Sequence, residues 1–142
     1  MLIQLAVGTF GSMCNIVCHS IMMTALIKVA RNRAHSTYYG AFALSCIMVP
    51  SMFVLIIAHV LEILIWAIIY NVFGVIANDS EVVYFAFVNY TTLGYGDVTP
   101  LQRWRLLGPI AAMNGILLFG WSTAVIFEIL RRALIRMDEL AL

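Results

Sequence analysis

The chain has 142 residues, of which 63% are apolar and 11% charged, and its mean hydropathy is +0.99. Water-soluble domains are about half apolar and about a quarter charged, so this composition excludes an ordinary soluble fold and predicts a membrane protein. Eight Lys and Arg residues against seven Asp and Glu leave a net charge of +1, which is too small an excess for a nucleic-acid binder.

The first predicted membrane helix lies at the N-terminus. Residues 2–27 contain no charged side chain and end at a basic cluster of Lys28, Arg31 and Arg33. About 20 apolar residues are enough to cross the bilayer. No positive charge precedes the run, as one would in a secretory signal peptide, so we expect it to be retained as a helix.

The same helix carries small and metal-ligating residues that allow two interpretations. A metal site could use Cys14, Cys18 and His19, but zinc needs three or four ligands and these residues offer only one pair at helical spacing. Small residues also let membrane helices pack closely. We therefore favour a surface that docks on the second helix, formed by Gly8, Gly11, Ser12 and Cys18.

The second crossing is predicted at residues 51–70, inside a longer apolar run over residues 38–73. Pro50 removes a backbone donor and kinks or interrupts a helix, so we expect residues 38–49 to form an interfacial or kinked lead-in. This crossing places His59 and Glu62 near the middle of the bilayer, on one helix face. Ionisable groups at that depth are candidates for function and usually face protein.

The third crossing is predicted at about residues 106–130. About ten residues follow it, so we expect no soluble domain at either end of the chain. Six Lys and Arg residues lie in the first loop and the C-terminal tail, against two, Arg103 and Arg105, before the third crossing. The positive-inside rule then predicts a cytoplasmic C-terminus and an external N-terminus.

The segment between the second and third crossings, residues 74–105, is too apolar for a solvated loop. Residues 78–81 are typical of a helix start, with acids where they favour the helix dipole. A helix over residues 82–91 would be about 15 Å long, half a bilayer, and therefore re-entrant. Gly94, Gly96 and Pro100 then end the helix and predict irregular backbone.

Residues 91–97, with the sequence TTLGYGD, are the most informative part of that irregular backbone. Such backbone is tolerated at membrane depth only where it is buried in protein or lines a water-filled path. Glycines at alternate positions allow backbone angles that other residues avoid, so successive carbonyl groups can point the same way. A row of carbonyl oxygens of this kind can replace the hydration shell of an ion.

This motif resembles the selectivity-filter signature of the potassium-channel superfamily. The resemblance covers residues 51–130, which would be the outer helix, pore helix, filter and inner helix, and the whole chain is similar to small bacterial proteins of that family. It implies that successive K⁺ sites are formed by carbonyl groups of Thr92, Leu93, Gly94 and Tyr95, with the Thr92 hydroxyl. Gly96 and Asp97 would lie at the outer mouth.

The chain departs from the family pattern around the filter. Leu93 stands where Val or Ile is usual, and its carbonyl group is unaffected by that change. Tyr84 and Phe85 replace a pair of Trp residues, and Val88 replaces a Glu that bonds the filter aspartate in some relatives. The contacts that hold Tyr95 must therefore differ from the family pattern.

The predicted fold is an all-α membrane protein with three transmembrane helices, a re-entrant pore helix and a filter. Because one chain supplies one filter strand and four strands are needed to surround an ion, we expect a homotetramer in a bacterial inner membrane, in contact with lipids. Residues 1–30 would form the N-terminal helix, 31–49 the basic loop and lead-in, 50–133 the pore domain, and 134–142 a cytoplasmic tail.

The predicted function is passive, selective conduction of K⁺, with no cofactor besides the permeant ion. A weakly selective cation channel and a non-conducting regulatory or assembly subunit are the alternatives. An enzyme is not predicted, because the sequence offers no nucleophile–base constellation or phosphate-binding loop. Asp79, Glu81 and Asp97 would attract cations at the outer mouth, since a fourfold assembly multiplies their field.

Candidate gating residues lie in two of the crossings. Gly115 and Gly120 would form either a hinge or a close-packing surface. His59 and Glu62 would form either a pH-sensitive contact, completed by Trp104 or Arg105, or a static buried hydrogen bond.

Three further side chains have predicted positions near a membrane interface. Glu128 would either ring the inner mouth or pair with Arg131 and Arg132 at helical spacing, and pairing is favoured. Trp66 and Trp104 are predicted to anchor the outer interface.

Overall fold

The computed structural model describes residues 1–34 and 41–140, and within them the chain is helical, with no strand. Three of the helices are long and apolar enough to cross a membrane, which confirms the predicted all-α membrane fold. The α-helices are α1 (Leu2–Ala34), α2 (Ala41–Val72), α3 (Val82–Tyr90) and α4 (Leu107–Leu140). Short 3₁₀ turns at Asp79–Glu81 and Gln102–Trp104 precede α3 and α4.

The long helices extend beyond the apolar runs that predicted them. α1 continues to Ala34, so Arg31 and Arg33 lie on its last turns and not in a loop, and α4 continues through the predicted tail to Leu140. No Gly or Pro interrupts either extension, so the helix continues past the hydrocarbon region. The rest of the predicted loop, residues 35–40, lies outside the described residues.

α2 runs through Pro50 as one helix, so residues 41–49 are its first turns and not a separate lead-in. The hydroxyl of Ser51 donates to the carbonyl oxygen of Ile47 at 2.7 Å, inside the protein. Side-chain hydroxyls of this kind re-satisfy carbonyl groups near a proline in a membrane helix. The carbonyl group that loses its N–H partner at Pro50 is that of Cys46, so this bond strengthens the neighbouring turn and does not replace the missing one.

α1 packs against both α2 and α4, whereas the sequence predicted contact with the second helix alone. The predicted small residues make these approaches close. A Cβ atom on Gly8 would lie 2.6 Å from a side-chain atom of Ile110 in α4, and one on Gly11 would lie 2.7 Å from Ile69 in α2. α1 is therefore an integral part of the helix bundle.

The interior has two apolar clusters, one toward each end of the bundle. The first surrounds α3, which packs between α2 and α4, and includes Trp66, Tyr70, Phe85, Tyr90 and Leu107. The second joins the other ends of α1, α2 and α4 and includes Met23, Leu26, Ile47, Leu55 and Ile129. α3 thus occupies one half of the bundle only, as expected for a re-entrant helix.

The N-terminal ends of α1 and α4 lie together. The Gln4 side-chain oxygen accepts a hydrogen bond from the backbone N–H of Leu106 at 2.9 Å, next to the first turn of α4. Free N–H groups at a helix start need such a partner. α1 therefore runs parallel to α4, with α2 antiparallel to both.

The two tryptophans predicted as interface anchors are buried, so that prediction was wrong. Trp66 is fully buried and its indole N–H donates to the side-chain oxygen of Asn114 at 3.1 Å. Trp104 packs edge-on against Phe73, with the ring centres 5.5 Å apart. Gly11 leaves room for the Trp66 ring, which a sequence read helix by helix could not reveal.

Candidate functional site

The TTLGYGD segment begins directly after α3. The helix ends at Tyr90, and its last carbonyl groups accept hydrogen bonds from the N–H groups that follow: Thr92 to Asn89 at 3.0 Å and Leu93 to Val88 at 2.9 Å. At the other end, the Asn78 side chain accepts from the N–H of Ser80, as predicted for a helix start. A short helix with fixed ends therefore aims the candidate filter, residues 92–96.

The backbone of the candidate filter alternates in handedness. The φ angles of Thr92, Gly94 and Gly96 are positive, at 60°, 60° and 77°, whereas those of Leu93 and Tyr95 are not. Alternation in the sign of φ, which glycine makes possible at Gly94 and Gly96, allows successive carbonyl groups to point toward one side of the segment.

Two of the three left-handed positions are glycine, which adopts positive φ at no steric cost. A Cβ on Gly94 would meet only the Thr92 carbonyl oxygen, at 3.9 Å, so the backbone angle and not crowding requires glycine there. Thr92 holds a positive φ despite its branched side chain, which is uncommon and strained.

A hydrogen bond ties α3 to the outer end of the candidate filter. The hydroxyl of Tyr84 donates to Asp97 Oδ2 at 2.5 Å, and the N–H of Val98 donates to Asp97 Oδ1 at 3.0 Å. Tyr84 is one of the residues that depart from the family pattern, and its own hydroxyl makes the hydrogen bond to Asp97. The same bond lowers the pKa of Asp97 and raises the pKa of Tyr84 to about 12. Asp97 is therefore a carboxylate at neutral pH.

The other predicted outer carboxylates lie at the start of α3. Asp79 and Glu81 belong to the 3₁₀ turn before the helix, and Glu81 accepts a hydrogen bond from the Asn78 side chain at 3.3 Å. All three carboxylates therefore lie near the N-terminal end of α3.

α4 packs closely behind the base of the candidate filter. A Cβ on Gly115 would overlap the carbonyl oxygen of Tyr90, and one on Gly108 would lie 2.7 Å from Asn89 Oδ1. Gly120 has no atom within 4 Å of the corresponding position. Of the two glycines predicted as hinge or packing residues, Gly115 thus packs against α3 within the chain, whereas Gly120 has no packing partner within the described part of a single chain.

His59 and Glu62 lie in a polar cluster that neither Trp104 nor Arg105 completes, contrary to expectation. The Glu62 carboxylate oxygens lie 2.7 Å from Nδ1 of His19 and 3.0 Å from Nδ1 of His59, and one of them accepts from the Tyr90 hydroxyl. Nε2 of His59 lies 3.0 Å from the Ser122 hydroxyl. This mid-membrane cluster joins all four helices: His19, His59, Glu62, Tyr90 and Ser122.

A second buried polar contact was missed by the sequence analysis. Asn15 of α1 donates to Asn114 Oδ1 at 2.9 Å, and the same oxygen accepts from Trp66. Both asparagines are buried. A side-chain amide inside an apolar run indicates a contact between membrane helices. The two asparagines could therefore have been recognised in the sequence as candidate partners.

Glu128 pairs with both neighbouring arginines, as favoured in the sequence analysis. Nε of Arg131 and of Arg132 lie 2.8 and 2.6 Å from its two carboxylate oxygens. The three side chains are partly or largely exposed, so the pairs add little stability. Their geometry satisfies the carboxylate locally.

Comparison with known proteins adds one finding. Residues 56–132 match the family model described as "Ion channel", which covers just over half of the chain. The matched part extends from α2 to α4 and includes α3, the candidate filter and the packing glycines. No curated protein and no solved structure matches the chain.

Proposed function

Because the chain belongs to the ion-channel family, we propose that it conducts K⁺ selectively and passively across the membrane as a homotetramer. The observation that carries this proposal is the alternation of backbone handedness at Thr92, Gly94 and Gly96 within the TTLGYGD sequence. This geometry would allow the carbonyl groups to form a row, which is what a K⁺ filter uses to replace the hydration shell.

Four copies of residues 92–95 around one axis would surround a dehydrated ion. The carbonyl oxygens of Thr92, Leu93, Gly94 and Tyr95, together with the Thr92 hydroxyl, would form successive sites for the permeant ion. Asp97, whose pKa is lowered by Tyr84, would attract cations to the outer entrance, and Asp79 and Glu81 would add to that field. No bond is made or broken, and the electrochemical gradient drives the ion.

Exposure of the candidate filter supports a multimeric assembly. Every residue from 91 to 97 is exposed in the single chain, and Tyr95 is 69% exposed. Irregular backbone is not tolerated against lipid. Further copies of the same chain, arranged with closed symmetry, would cover this segment and enclose a path.

The charge distribution supports a cytoplasmic C-terminus. Six Lys and Arg residues lie near the C-terminal ends of α1 and α4 and two near the candidate filter, so the positive-inside rule places the filter entrance on the external side. The outer carboxylates would then face the medium from which K⁺ enters. This orientation fits the inner membrane of a bacterium.

The proposal is tested by flux into liposomes that contain only this protein, with K⁺ or Na⁺ as the permeant ion. We expect K⁺ flux at least about tenfold above Na⁺ flux, a difference of about 1.4 kcal/mol between the barriers. Equal K⁺ and Na⁺ flux would instead establish the weakly selective channel, and absence of flux would establish the non-conducting subunit.

A matched pair of glycine variants assigns the flux to the candidate filter. Gly94→Ala forces a side chain into a positive φ inside the filter and should abolish flux or selectivity. Gly74→Ala imposes the same strain at a φ of 55° in the loop after α2, with open space around it, and should conduct like the wild type. Similar behaviour of the two variants would contradict the assignment.

A further inference from the structure

Two imidazoles and a carboxylate converge in the mid-membrane cluster. The ligand atoms of His19, His59 and Glu62 all lie within 4.8 Å of one another. Imidazole nitrogen and carboxylate oxygen are the ligands that Zn²⁺ and related divalent ions take in proteins. We propose that these three residues bind one divalent cation of the zinc type, which links α1 to α2.

The helices place the ligands as a metal site requires. His59 and Glu62 are three residues apart and share one face of α2, and His19 faces them from α1. Metal sites in helix bundles are commonly built from such a spaced pair and a ligand on a facing helix. The site therefore needs only the helix packing that the fold already has.

The distances in the cluster are close to those of a coordination shell. The two Nδ1 atoms lie 2.7 and 3.0 Å from separate oxygens of Glu62. Ligand atoms around tetrahedral zinc are about 3.3 Å apart, as follows from bond lengths of about 2.0 Å. Small outward rotations of the two rings would admit the ion. A water molecule would take the fourth position.

The surrounding hydrogen bonds suit a metal ligand. A histidine that binds metal through Nδ1 carries its proton on Nε2 and usually donates it to a neighbouring oxygen. Nε2 of His59 lies 3.0 Å from the Ser122 hydroxyl, which is such a partner. The Tyr90 hydroxyl donates to Glu62 and orients the carboxylate.

The hydrogen bonds alone leave the charge of the cluster unbalanced. The partners described for Glu62 are His19, His59 and Tyr90, none of which is permanently positive. An uncompensated carboxylate at membrane depth is costly, and a bound cation would balance its charge.

The cysteines of α1 are not part of the proposed site. Cys14 and Cys18 are half-buried and lie outside the group of converging ligands. The metal site considered from the sequence shares only His19 with the proposed one. Glu62 lies 43 residues further along the chain, which residue spacing within α1 could not indicate.

The test measures metal binding on the whole purified protein, without an affinity tag and after removal of metal by a chelator. We expect one Zn²⁺ per chain by elemental analysis, and Co²⁺ in its place should give the visible absorption bands of a four-coordinate ion. Added Zn²⁺ should also raise the Tm of the wild type. Absence of stoichiometric binding would overturn the proposal.

Three variants locate the site. His19→Gln and Glu62→Gln each remove one ligand and should weaken Zn²⁺ binding by at least about 100-fold, because changes around a metal ligand alone cost about 10–100-fold. His35→Gln makes the same substitution at the remaining histidine of the chain, which lies outside the described residues and is not one of the proposed ligands, and should bind like the wild type.

Two outcomes contradict the site even where the wild type binds zinc. One is unchanged affinity in a folded His19→Gln or Glu62→Gln variant, and the other is loss of binding in His35→Gln. If one ligand variant fails to fold, the other and the Co²⁺ spectrum of the wild type decide. Because ion flux is not measured, the result is independent of the proposed conduction of K⁺.

Discussion

The hydrogen bond from Tyr84 to Asp97 sets the charge at the outer end of the candidate filter. It stabilises the carboxylate form, so it lowers the pKa of Asp97, and the negative charge is lost only when the external pH falls through that lowered value. Tyr84→Phe removes the donor and should raise the pKa of Asp97 toward its ordinary range. We therefore expect external acid to reduce K⁺ flux at a higher pH in the variant.

Flux measured at external pH values from about 3 to 6 covers the range in which carboxylates titrate. Asp97→Asn provides the limiting case, because it removes the titrating group and should remove the corresponding part of the pH response. An identical midpoint in wild type and Tyr84→Phe would show that the hydrogen bond does not control this charge.

The two glycines of α4 should differ in stability when a methyl group is added. Gly115→Ala would overlap the Tyr90 carbonyl oxygen and force α4 away from α3, which should destabilise the fold by about 1–3 kcal/mol. Gly120→Ala meets open space and gains helix propensity, so its Tm should be unchanged or higher. Thermal unfolding in one detergent compares them, and equal loss in both variants would contradict the packing role of Gly115.

At the residue level, the sequence was most informative where a single residue type has few alternatives. Glycine at alternate positions predicted the unusual backbone of the candidate filter, and three of its residues do have positive φ. Glu128 was correctly paired with its arginines because both partners lie within one helical turn. Trp66 was misplaced because its partner, Asn114, is 48 residues away.

At the scale of the helices, the amide of Asn114 holds three of them together. Its side-chain oxygen accepts from Asn15 in α1 and from Trp66 in α2, so Asn114→Leu would leave two buried donors unpaired. Unpaired buried donors cost about 1–3 kcal/mol, whereas hydrogen bonds between membrane helices average about 0.6 kcal/mol. We therefore expect Asn114→Leu to destabilise the protein more than Asn15→Leu does.

Chemical unfolding of both variants in the same detergent gives this comparison directly. Asn15→Leu removes one donor and leaves the bond from Trp66 in place, so it serves as the matched variant. A greater loss of stability in Asn15→Leu than in Asn114→Leu would show that the contact with α1, and not the shared acceptor, carries the energy.

The helices were predictable from the sequence, and their lengths and contacts were not. Three apolar runs long enough to cross the bilayer predicted the membrane helices. The helix-start signal at Asn78, followed by a run only half as long as the bilayer is thick, predicted α3. Pro50 did not break α2, which continues through it as one helix. The contact of α1 with α4 depends on tertiary packing, which local periodicity does not encode.

At the scale of the whole molecule, the proposed conduction of K⁺ depends on several copies of the same chain. One strand of carbonyl groups cannot surround an ion, and the exposed residues 91–97 need a cover. We expect native mass measurement in mild detergent to give a species of four times the 15.9 kDa chain mass. Species no larger than dimers would be incompatible with a fourfold filter.

The assembly lies beyond what a single sequence and a single chain provide. Fourfold symmetry is inferred from the filter motif only because an ion must be surrounded by several carbonyl groups. The mid-membrane cluster, in contrast, forms within one chain and joins four of its helices. Sequence reasoning identified His59 and Glu62 in that cluster because charge at membrane depth is costly. It could not identify Tyr90 or Ser122 as their partners, because these residues are ordinary in a membrane helix.

An experimental density map of the assembled protein in K⁺ tests the proposed conduction pathway most directly. The prediction is a fourfold axis on which a column of ion density alternates with rings of carbonyl oxygens from Thr92, Leu93, Gly94 and Tyr95. Carbonyl groups directed away from the axis, or an axis without ion density between them, would contradict it.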